Sequence, residues 1–184
     1  MPDSSRSCSS AGWWSLSEPP NPTPYAVDGG VHALSGEALS ALLVDVLARG
    51  VPFRFEARGY SMFPFIRDGD VVTIAPLRGR RARFGEAVAF AGPAGGLVVH
   101  RVTARRQGVY EIRGDHLSGP DDVVPLNGVL GAVTRVERRG RPVRLGLGPE
   151  RVLVGGLVRL GLLRPLVAAA RAVRAPFVGQ RVLS

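Results

Sequence analysis

The sequence predicts a mainly β fold, a barrel or coiled sheet, with one helix before it and a helical extension after it. Three observations carry this. From residue 51 to about 145 the chain falls into short apolar runs separated by Arg78-Gly79, Gly92-Pro93-Ala94-Gly95-Gly96, Gln107-Gly108 and Gly140. Short strands at such spacing suit a barrel or coiled sheet and not alternating βαβ units. Ahead of them lies one stretch with helical periodicity, and after them the chain turns apolar and rich in Arg.

Residues 1–33 are rich in Ser, Pro and Gly, with Trp13-Trp14 as the large apolar pair, and read as a disordered tail. No apolar run precedes a cleavage site, so the segment does not read as a secretory signal. Residues 34–49 predict a helix: Ser35 is the N-cap, Glu37 lies in the first turn and Gly50 ends it. Leu39, Leu42, Leu43, Val46 and Leu47 form its apolar stripe. Strands are expected at 51–58, 70–76, 87–91, 97–104, 109–113, 129–137 and 141–145. In the first, Phe53, Phe55 and Ala57 alternate with Arg54, Glu56 and Arg58. The main folded unit is thus expected at 34–145, and 146–184 is an apolar extension studded with Arg. In that extension Pro165 and Pro176 are expected to break or kink helices. No stretch reaches the roughly 18 uncharged residues of a spanning helix. Leu157, Leu160, Leu162, Leu163 and Val167 with interspersed Arg suit either a surface-lying amphipathic hairpin or a helical cap on the sheet.

The 184 residues carry a formal net charge of +9, and every basic residue is Arg. Nucleic acid is not an expected partner, because no basic stripe is interleaved with aromatic residues. An anionic membrane surface is a partner the extension allows. Cys8 is the lone cysteine, which excludes a disulfide framework and a cysteine metal cluster; neither metal nor cofactor is expected.

The chain is organised around Gly59-Tyr60-Ser61-Met62-Phe63-Pro64-Phe65-Ile66-Arg67-Asp68-Gly69-Asp70. Gly59 precedes Ser61, Pro64 fixes φ, and Asp68-Gly69-Asp70 turns the chain into the next strand. A serine held on a stiff connection between strands has the exposure and fixed direction a nucleophile needs, and it needs a base. With no Lys in the chain, that base falls to His32, His100 or His116. His100 sits in the strand Leu97-Val98-Val99-His100-Arg101-Val102-Thr103, on the face of Val98 and Val102. Asp115, Asp121 and Asp122 could each orient an imidazole, and spacing does not choose among them.

Taken together, Gly59-Tyr60-Ser61-Met62-Phe63-Pro64, Asp68-Gly69-Asp70-Val71-Val72, Gly85-Glu86-Ala87-Val88, Val99-His100-Arg101-Val102, Arg113-Gly114-Asp115 and Gly128-Val129-Leu130-Gly131-Ala132-Val133 occur in the order of a known family. Over residues 51–137 the chain resembles the signal peptidase I / LexA-like serine peptidase superfamily. His100-Arg101-Val102 and the absence of Lys resemble its His-type variant, archaeal and endoplasmic-reticulum-like, over its Ser–Lys one. The resemblance implies a coiled, mostly antiparallel sheet of barrel-like curvature and a serine endopeptidase that cleaves an extended peptide or preprotein. It implies Ser61 as nucleophile, His100 as base, and an acid from Asp115, Asp121 or Asp122. The backbone N–H of Ser61 would help form the oxyanion hole. Met62, Phe63 and Pro64 would touch the substrate, with Phe63 and Phe65 equally able to serve the core. The alternative is a catalytically silent module of the same fold that binds a peptide on a sheet edge.

The chain departs from that family in two places. Helix 34–49 carries Ser35, Glu37, Asp45 and Arg49 and is too short and polar to span a bilayer, so a cytoplasmic or peripherally membrane-associated enzyme is expected. Gly85-Glu86 stands where the family has Gly-Asp. A self-cleaving repressor fits poorly, since one helix does not make a DNA-reading pair.

Overall fold

The computed structural model describes residues 25–26, 33–119 and 121–174. Trp13-Trp14, Cys8, His32 and Pro176 lie outside them. Within the expected tail, β1 (Tyr25–Ala26) pairs antiparallel with β2 (Ala33–Leu34). The rest of 1–33 lies outside the described residues.

The fold is mainly β, an antiparallel sheet curled into a half-barrel, with one helix ahead of it and two after it. The strands are β3 (Phe53–Glu56), β4 (Val71–Ala75), β5 (Ala87–Ala91), β6 (Leu97–Arg106), β7 (Val109–Arg113), β8 (Asp122–Pro125), β9 (Val129–Arg138) and β10 (Arg141–Val143). Their order is β3-β4-β9-β5-β6-β7-β8, with β10 on β9. Strand β8 was not expected from the sequence. It pairs with β7, setting Asp122 opposite Ile112.

α1 (Gly36–Ala48) begins as the sequence implies, with Ser35 Oγ accepting from the Ala38 N–H at 3.2 Å. Leu39, Leu43 and Leu47, spaced by four, are buried against the sheet. Leu42 departs from the expected stripe. It is 38% exposed because the buried arc runs through Leu39, Ser40, Leu43 and Leu47.

The curled sheet has a core on each face. Leu39, Leu43, Phe53, Phe55, Val72, Ile74, Ala87 and Ala89 fill one, together with Met62 from the connection after β3. Val88, Phe90, Val102, Tyr110, Ile112 and Ala132 fill the other. Alternation along β5 therefore feeds both cores, and β5 and most of β6 are buried on both sides. That is why β6 can bury His100 toward one face and Arg101 toward the other.

After β10, α2 (Arg151–Arg159) and α3 (Leu163–Arg174) pack through Val154, Val158 and Leu163 onto Phe65. α2 comes so near the connection ahead of β5 that a Cβ on Gly155 would lie 2.9 Å from the Gly85 Cα. Pro165 does not break α3. It sits in the first turn, where its missing N–H has no intrahelical role.

Candidate active site

The connection Ala57–Asp70 is closed at its base by Ala57 N–H to Asp70 O at 2.7 Å and Gly69 N–H to Ala57 O at 2.9 Å. Asp68 accepts from the Gly59 N–H at 2.9 Å. Asp70, buried, accepts from the Arg67 N–H at 2.8 Å and from Arg138 Nε and Nη2 at 2.8 and 2.7 Å. These bonds raise the affinity of the Arg138 guanidinium for its proton. Arg138 also donates to Phe65 O at 3.1 Å. The Asp70–Arg138 pair pins the serine connection to the end of β9, a role the sequence reading missed. Asp70 had read simply as a turn residue, and nothing in the sequence located its distant cation.

At the tip, Phe63 N–H bonds Tyr60 O at 3.1 Å and Ile66 N–H bonds Met62 O at 3.0 Å, making consecutive turns that leave Ser61 half-buried. The Phe63-Pro64 peptide is cis. Ser61 O accepts from the His116 N–H at 2.8 Å. A Cβ on Gly114 would lie 2.8 Å from that same oxygen, so only glycine leaves the serine turn its seat. Arg113 pairs with Arg101 across β7 and β6, which sets the following Gly114 beside the preceding His100. The Ser61 main chain thus lies beside the end of β7 that pairs with the His100 region of β6, while no hydrogen bond joins the Ser61 and His100 side chains.

His100 is buried, its ring 5.9 Å from that of Phe90 and its Nδ1 3.0 Å from Asp122 Oδ2. Asp122 is the partly exposed first residue of β8. With Nδ1–H donating to the carboxylate, Nε2 carries the lone pair a base uses.

The other two acids are engaged elsewhere. Asp115 receives Arg101 Nε and Nη2, both at 2.7 Å, while Arg101 Nη1 donates to Gly85 O at 2.7 Å and Gly146 O at 2.9 Å. The Arg101 guanidinium also lies 5.4 Å from the centre of the Phe65 ring. Burial pushes the Asp115 carboxyl up, opposed by the Arg101 bonds. Asp121 pairs with Arg113 and accepts from Thr103 Oγ1. Thr103 is the extra residue of a bulge between β6 and β7, a common device for aiming side chains beside a site. Asp115 and Asp121 together clamp both ends of the 114–121 connection and so deliver Asp122 to His100.

Of the residues expected at the substrate, Met62 is 4% exposed and belongs to the core; its position in the turn drives it inward, so it offers a substrate no surface. Phe63 is half-buried beside half-buried Pro64. Its ring meets His116 edge-on at 5.6 Å and lies under the guanidinium of Arg171 at 4.6 Å. Phe65 takes the core role beneath α2 and α3. Glu86 accepts from the Arg83 N–H at 3.0 Å and Arg80 Nη1 at 2.8 Å, closing the turn into β5. Among the described residues no cluster of His, Cys, Asp and Glu could hold a metal ion.

Neither a protein-family model nor a curated protein matches this chain.

Proposed function

We propose that the protein is a serine endopeptidase of the signal-peptidase-like, His-type design, with Ser61, His100 and Asp122 as its reacting set. The observation that carries this reading is the 3.0 Å contact of His100 Nδ1 with Asp122, at the corner where Gly114 and His116 hold the serine turn. In the reaction Ser61 Oγ gives its proton to His100 Nε2 and attacks the peptide carbonyl carbon. Asp122 holds the tautomer and stabilises the imidazolium. The Ser61 N–H offers a donor to the developing oxyanion, a contribution of about 3–4 kcal/mol in other hydrolases. The imidazolium protonates the departing amine, and water, activated by the same imidazole, then releases the acyl group and restores Ser61. The substrate is an extended peptide or preprotein, laid along a sheet edge. Exposed Val123 on β8 marks one such edge beside Asp122.

A serine-directed fluorophosphonate probe tests this. Labelling of Ser61 in the intact protein, lost in Ser61→Ala and in His100→Ala, supports the peptidase. A folded protein whose Ser61 stays unlabelled overturns it and leaves a peptide-binding module of the same fold.

A further inference from the structure

The hairpin of α2 and α3 uses few of its apolar residues to hold itself to the sheet. Val154, Val158 and Leu163 are buried on Phe65, with Leu157 and Val167 packed at their edge. On the opposite side Leu153 is 73% and Leu160 70% exposed, with Val152, Leu162 and Leu166 also open. Leu160 and Leu162 flank Gly161 at the bend between the helices. A soluble surface rarely gathers so many large aliphatic side chains in so short a stretch.

The charge is as one-sided as the exposure. From Arg151 to the last residue of the sequence there is no Asp or Glu. Arg164 and Arg171, seven residues apart and so on one side of α3, line a cavity of about 480 Å³ between the hairpin and the connection bearing His116 and Leu117. The cavity's carboxylate, Asp115, is already committed to Arg101. Neither Arg164 nor Arg171 has an acidic partner among the described residues, while Arg159 is spent on Thr103 O. No single described helix is long and apolar enough to cross a membrane, and the two helices bend by 103° where they meet.

We infer that this hairpin docks the protein onto an anionic phospholipid surface. Leu153, Leu160, Leu162 and Leu166 enter the acyl boundary, and Arg164 and Arg171 meet the phosphates. Charge complementarity selects this occupant: two copies of an acid-free basic hairpin would repel each other, whereas a negatively charged leaflet supplies both the apolar depth and the counter-charge. The docking goes beyond the peptidase reading and stands without it.

Flotation of the full chain with vesicles tests the inference. Phosphatidylcholine vesicles are compared with phosphatidylcholine–phosphatidylglycerol vesicles at low and high salt. Binding is expected to the mixed vesicles and to weaken with salt. Leu153→Ser combined with Leu160→Ser should weaken it on the order of a hundredfold, and Arg164→Gln with Arg171→Gln roughly twentyfold. The leucine variant should leave the circular dichroism spectrum and Ser61 labelling unchanged, which separates this test from that of the peptidase. Failure to float with mixed vesicles overturns the inference. So does equal binding to both lipids, or a dimer in solution that the leucine variants dissociate.

Discussion

His100 and Asp122 meet at 3.0 Å although one lies in the interior of β6 and the other opens the edge strand β8. The contact exists because the residues between them are tied down in pairs, Asp115 to Arg101 and Asp121 to Arg113 and Thr103. Three neighbouring acids thus have different surroundings, and substitutions should separate them.

Asp122→Asn should lower kcat by roughly a hundred- to ten-thousandfold, as loss of the orienting acid does in serine hydrolases. The melting temperature should barely move, since Asp122 is partly exposed and lies at the sheet edge. Kinetics on a cleaved peptide, beside a thermal melt, check this. A large fall in stability with kcat intact would remove Asp122 from the chemistry.

Asp115→Ala should act in the opposite sense. It strands the buried Arg101 guanidinium, which typically costs about 3–5 kcal/mol. The double variant Arg101→Met, Asp115→Leu should recover part of that loss. Denaturant titration of the parent protein, Asp115→Leu, Arg101→Met and their double variant measures the coupling, and additive effects would show that the pair is not a unit.

Gly114→Ala puts a methyl group where Ser61 O stands, at 2.8 Å. The expected result is a fall in Ser61 labelling rate of roughly a hundredfold, the scale on which small misplacement of a reacting group is felt. Far-ultraviolet circular dichroism should be unchanged. Undiminished labelling would show that the seat of the serine turn is not set by Gly114.

His116→Ala should retain Ser61 labelling, because His116 supports Ser61 through its backbone N–H. Loss of labelling in a folded His116→Ala would move the base from His100 to His116.

Much of the fold could be read from local pattern, because burial in β3 alternates residue by residue as its sequence does. β8 escaped that reading. Asp121-Asp122 and Pro125 carry turn chemistry, and only Val123-Val124 between them suggest a strand. Its pairing is decided by β7, with Pro125 at its last position on an edge, where a missing N–H costs little. The choice among the three acids was likewise invisible. It depends on which distant cation each one finds, and Arg101 and Arg113 are assigned by strand register. Met62 was misjudged for a related reason: a residue in a turn between strands can point into the core when the connection folds back across the sheet, as closure by Asp70 and Arg138 makes this one do.

Arg101 grips Asp115, Gly85 O and Gly146 O and lies against Phe65, so one side chain joins four stretches of chain that meet nowhere else in sequence. Its immediate neighbour is His100. Any shift of the C-terminal hairpin, which is seated on Phe65 and Gly85, therefore has a short mechanical path to the proposed base: through a single planar group, and one peptide bond further on. A load applied at the periphery of this molecule would be felt early at that imidazole.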